Sequence, residues 1–95
     1  MNTEDIKILV KPIAKKYNIR EVYIFGSYAR GDATEKSDLD FLIFGGEDFK
    51  PTMIFSFAEE LREIIKKPVD VFEIRELNVD SAFYKNVMKE KVLVA

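Results

Sequence analysis

Ile6, Leu9, Val10, Ile13, Ala14 and Tyr17 return at helical spacing, so the first segment of the chain reads as a helix with one apolar face. Asn2 or Thr3 can cap it, and Glu4 and Asp5 suit the positive end of its dipole. Pro12 either kinks this helix or marks a restart, and Asn18 can end it. Glu21 to Phe25 is β-branched and aromatic and stops at Gly26, which predicts a short strand. Residues 27–37 are polar and form a loop with one helical turn near Tyr28-Ala29-Arg30. Leu39 to Phe44 is almost continuously apolar and ends at Gly45-Gly46, as a central strand buried on both faces would. Pro51-Thr52 opens a helix over 52–66 with Met53, Ile54, Phe57, Ala58, Leu61, Ile64 and Ile65 as its stripe, and Pro68 closes it. Pro68 to Ile74 predicts a third strand. Asn78 or Asp80 then caps a last helix to about Lys89, with Phe83, Val87 and Met88 inward, before a short edge strand at Val92 to Val94. The order α-β-β-α-β-α-(β) predicts an α/β (α+β) fold, a small mixed sheet with helices packed on it. With no linker or repeat, residues 1–95 form a single domain.

Composition narrows the chemistry more than the fold. The chain has 15 Lys and Arg against 17 Asp and Glu, a net charge of −2, which argues against nucleic acid as a partner. It contains no Cys and no His, so disulfides, Cys/His zinc sites, thiol nucleophiles and His-based triads are excluded. A metal here must be held by oxygen, which points to magnesium, calcium or manganese. Met1-Asn2-Thr3-Glu4-Asp5 has neither a basic segment nor a long apolar run behind it. No signal peptide or membrane span is expected, and the cytoplasm is the expected location. A surface rich in Lys and Glu, with no Gln, His, Cys or Trp in the chain, is also a trait of thermophile proteins.

Asp38 and Asp40 bracket Leu39 at the mouth of the most apolar strand, where Asp is depleted and an unpartnered carboxylate is costly. Period-two alternation puts both side chains on one face, with Cα atoms about 6.5–7 Å apart, so they can converge on one divalent cation or a pair. Asp70 repeats the anomaly within Val69-Asp70-Val71. The helix between the second and third strands is a natural crossover, which makes those strands parallel and brings Asp70 to the same end of the sheet. If the first strand is antiparallel to the second, Gly26-Ser27 reaches that end too. Alone, Asp38 after Ser37 would read as a turn residue and Asp70 as a solvent-facing edge residue.

Gly26-Ser27 follows a strand directly, and a glycine there lets backbone N–H groups approach a phosphate, with the Ser27 hydroxyl as a further donor. Arg30 can neutralise phosphate charge or brace the loop against the sheet. Such a turn is a weak signal by itself. The whole string is stronger: Gly26-Ser27-Tyr28-Ala29-Arg30-Gly31, then Ser37-Asp38-Leu39-Asp40, with ten residues between Ser27 and Asp38. It resembles the Gly-Ser-x10-Asp-x-Asp signature of the DNA polymerase beta-like nucleotidyltransferase superfamily, and most of all its smallest branch, the minimal nucleotidyltransferases. The resemblance spans about residues 3–94.

The resemblance implies that Asp38, Asp40 and Asp70 are catalytic and ligate two Mg²⁺ ions that hold the triphosphate of ATP. Asp70 would hold the ion nearest the acceptor hydroxyl. Gly26 and Ser27 would grip the β- and γ-phosphates, with Arg30 as a further phosphate contact. It also implies an antitoxin that transfers AMP to a tyrosine of a HEPN-type toxin, whose surface completes the active site. Self-modification at Tyr28 is a variant of that chemistry. The competing reading is a catalytically vestigial module that neutralises its partner by masking it, which the intact carboxylate set argues against. Phe49, Phe55 and Phe83 fit either a core or an interface, in a homo- or hetero-oligomer.

Overall fold

The computed structural model describes residues 1–95 and opens on helix α1 (Thr3–Lys16). Asn2 caps it in a reciprocal box: its Oδ1 accepts from the Asp5 N–H at 2.9 Å, and Asp5 Oδ2 accepts from the Asn2 N–H at 3.0 Å. Pro12 lies on the exposed side within a single α1 helix, so of the two alternatives, a kink or a restart, the restart does not occur. Asn18, in the left-handed region at φ 57°, turns the chain into strand β1 (Glu21–Phe25). A one-turn helix α2 (Ser27–Arg30) and a loop lead to β2 (Leu39–Phe44). Helix α3 (Met53–Ile65), β3 (Val69–Glu73), helix α4 (Ala82–Glu90) and β4 (Val92–Leu93) follow.

The sheet order is β3-β2-β1-β4. β2 and β3 are parallel, as the crossover argument requires, and β1 is antiparallel to both β2 and β4. Alternation divides the sheet residues between two layers. Val22, Ile24, Leu39, Phe41, Ile43 and Val69 pack with Ile6, Val10 and Ile13 of α1 and Phe57, Leu61 and Ile65 of α3. On the opposite face, Phe25 and Leu42 pack with Val87 of α4, edged by Tyr23, Phe44, Phe72 and Met88. Leu39, Phe41, Leu42 and Ile43 have no exposed surface, so β2 is the doubly buried strand its apolar run predicts. Lys16 and Tyr17, at the end of α1, both bond Glu60 of α3 and fasten the two helices to each other on one face of the sheet.

Several details differ from the pattern. Ser81 caps α4, its Oγ accepting from the Tyr84 N–H at 3.0 Å, in place of Asn78 or Asp80. Asn78 is occupied in the preceding turn, where its Oδ1 accepts from the Asp80 N–H at 3.0 Å. The third strand ends at Glu73, whose side chain caps a 3-10 turn over Ile74–Glu76. Ile64 leaves the apolar stripe of α3 and is exposed. Phe49 is core, Phe55 is 75% exposed, and Phe83 is half-exposed while its ring meets those of Phe25 and Phe72 edge-on or tilted. No helix is long and apolar enough to cross a membrane.

Candidate active site

Three strand termini meet at one end of the sheet. The registers Phe25↔Asp40 and Asp40↔Asp70 place the end of β1 and the starts of β2 and β3 side by side. Register partners in a parallel pair point to the same face from strands about 4.8 Å apart, so Asp40 and Asp70 stand next to each other. Asp38 lies just before β2. Asp38 and Asp70 are exposed, whereas Asp40 is partly buried. Burial pushes the Asp40 carboxyl above its ordinary range, the charges of Asp70 and Asp38 push it further, and Arg30 pulls the other way.

Gly26 lies directly over this carboxylate. Its φ is 75°, and a Cβ there would sit 2.6 Å from Asp40 Oδ2, so only glycine lets the loop come this close. Beyond it the chain makes the single turn of α2, closed by Arg30 N–H to Gly26 O and Gly31 N–H to Ser27 O, both at 3.0 Å. Ser27 therefore begins the turn at the lip of the carboxylate site. The Arg30 guanidinium is held by Glu90 at 3.1 Å and Asp32 at 3.3 Å. Tyr28 packs against the main core, with the Lys67 amine 5.9 Å from its ring centre.

The structure thus brings Gly26, Ser27, Asp40 and Asp70 together, with Asp38 and Arg30 at the rim. No three acidic side chains close about a common point, and the directly paired carboxylates are Asp40 and Asp70. None of the three aspartates is in an ion pair. An all-oxygen donor set with unbalanced like charge fits a hard divalent cation. The residue that the sequence pattern missed is Glu90, which holds both Gly26 and Arg30. It had a signal: a carboxylate in the last turn of a helix faces the negative end of the dipole and needs a partner.

The model for "Polymerase beta, Nucleotidyltransferase" matches residues 9–95. The chain belongs to that family. This nucleotidyltransferase is 37% identical to MJ0604 of Methanocaldococcus jannaschii, named as a candidate protein adenylyltransferase, over 95% of each chain. It is 31% identical to the protein adenylyltransferase MntA of Thermococcus cleftensis, over 88% of this chain and 83% of the relative. Its fold also matches a solved complex, described as a tri-AMPylated Shewanella oneidensis HEPN toxin with its MNT antitoxin. That match has a TM-score of 0.66 at 16% identity and covers 98% of this chain and 69% of the other. The polymerase beta-like nucleotidyltransferase fold expected from the signature is the fold found.

Proposed function

We propose that this nucleotidyltransferase moves AMP from ATP to a tyrosine hydroxyl of a HEPN-type toxin and so acts as the toxin's antitoxin. The observation that carries the reading is Asp40, register partner of Asp70, lying against the Cα of Gly26, which joins a carboxylate site to a phosphate-type loop. The names of its relatives support the choice of a protein acceptor. Asp38, Asp40 and Asp70 would hold Mg²⁺, two ions in this reading, with the exposed Asp38 and Asp70 side chains swinging toward Asp40. Metal bound there would supply charge neutralisation for the triphosphate and for displacement at its α-phosphorus.

The chain's own residues do the rest. With the Gly26 N–H taken by Glu90, the Ser27 N–H and hydroxyl orient the β- and γ-phosphates, and Gly26 contributes the close approach of the loop. The acceptor comes from the side of Asp70, beside which lies a cleft of about 220 Å³ with Ile54, Phe55 and Phe72 in its wall. The tyrosine oxygen bonds to the α-phosphorus while the bond to the β-phosphate oxygen breaks. Its proton passes to the Asp70 carboxylate, and pyrophosphate leaves. The partner supplies the acceptor and the remaining walls of the site.

Intact-mass spectrometry of both proteins, after incubation with ATP and Mg²⁺, tests this. AMP is expected on the partner with the wild-type chain and not with Asp38→Ala/Asp40→Ala. If that double variant neutralises the toxin as well as wild type with no adduct formed, masking replaces transfer as the function. An adduct confined to this chain would point to self-modification.

A further inference from the structure

Glu90 closes α4 at the end of the helix least favourable to a carboxylate, yet it is partly buried there. Its two oxygens reach separate groups of a loop far upstream. Oε2 accepts from the Gly26 N–H at 3.3 Å, and Oε1 accepts from Arg30 Nη1 at 3.1 Å. These are the first residue of the loop turn and the last residue of α2, so one carboxylate clamps the turn at both ends. β4 follows almost at once and pairs with β1 through Ile24↔Val92. Gly26 and Glu90 lie two residues beyond that pair, and the Glu90 side chain continues the ladder where the backbone has left it.

Gly26 is thus enclosed between two carboxylates, Asp40 under its Cα and Glu90 on its N–H. Arg30 is held by both Glu90 and Asp32, so its charge is already balanced within the chain. A balanced guanidinium has little to offer a triphosphate and much to offer the shape of the loop.

We propose that Glu90 is a positioning residue: it holds Gly26 and Arg30 so that the loop keeps its phosphate-binding shape, and Arg30 is a brace. This rests on the nucleotidyltransferase reading of the loop given above. It makes the junction of α4 and β4 part of the nucleotide site without contact to the nucleotide.

Glu90→Ala and Glu90→Gln, compared with wild type, test it by amide hydrogen exchange, by calorimetry with Mg²⁺ and a non-hydrolysable ATP analogue, and by transfer kinetics. In Glu90→Ala, exchange at the amides of Arg30, Gly31 and Asp32 should rise at least about tenfold, while those of Phe41 and Ile43 stay protected. Kd for the analogue and KM for ATP should rise about tenfold, the size of one lost charge-assisted hydrogen bond, with kcat nearly unchanged. Glu90→Gln, which still accepts from Gly26, should recover part of the loss. Unchanged loop exchange overturns the proposal, and so does a slackened loop with undiminished nucleotide affinity. Tighter binding in Glu90→Ala would also overturn it, by showing that the carboxylate competes with phosphate. If wild type itself binds no nucleotide, the nucleotidyltransferase reading fails, and with it the positioning role, while the exchange data still report separately whether Glu90 clamps the loop.

Discussion

At Gly26, one hydrogen atom in place of a methyl group lets a loop rest on a carboxylate. Alanine there would need both a left-handed backbone and a shift of Asp40, so Gly26→Ala should cost about 1–3 kcal/mol in urea denaturation. AMP transfer should fall about 100-fold, because the phosphates and carboxylates would no longer share one frame. Asp40 behaves in the opposite way. Its ionised form is opposed by burial and by Asp70 and Asp38, so Asp40→Asn should raise the metal-free Tm by about 3 °C while abolishing transfer. A loss of Tm would show that Asp40 serves the fold and not the site. These aspartates were legible in the sequence because a carboxylate inside an apolar strand contradicts the chemistry around it. The Arg30–Glu90 pair was not, because 60 residues separate its members and only the closed sheet brings them together.

An element is legible in the chain to the extent that one strong periodicity governs it. β2 was found whole because its apolar run admits no other reading, and β1 because Gly26 stops it. The start of α4 was misplaced because Asn78, Asp80 and Ser81 are all good caps, and the choice among them is made by the turn in which Asn78 is already engaged. Ser81→Ala should therefore cost about 1 kcal/mol, and Asp80→Ala less than about 0.5 kcal/mol, in paired denaturant melts. The 3-10 turn after β3 was hidden by its brevity, although Glu73 and Glu76 box it from both sides. Between α1 and α3, hydrogen bonds from Lys16 and then Tyr17 hold the Glu60 carboxyl below its usual value of 4.5. A depressed carboxyl stabilises the fold above its unfolded pKa, and that contribution disappears as pH falls through the folded value. The Tm gap between wild type and Glu60→Gln should be present at neutral pH and close on acidification below 4.5; a gap that persists in acid would assign the effect to packing.

As a whole, the molecule is a plate of 34 × 32 × 18 Å with its like-charged site at one end of the sheet. A cation that binds only the folded site stabilises it by mass action, so Mg²⁺ at a hundredfold excess over its Kd should add about 2.7 kcal/mol. Thermal melts should show this gain in wild type and not in Asp38→Ala/Asp40→Ala. An equal gain in both would move the ion elsewhere. The contact between Gly26 and Glu90 also has a consequence in time. They are 64 residues apart, which a ribosome covers in roughly 3–13 s at about 5–20 residues per second. Through that interval, the growing chain comes to carry all three aspartates and the Gly-Ser turn while the clamp on its loop does not yet exist. The chemistry is encoded early and completed late, so a nascent chain is expected to bind ATP about tenfold more weakly until Glu90, at the end of α4, has been made and folded.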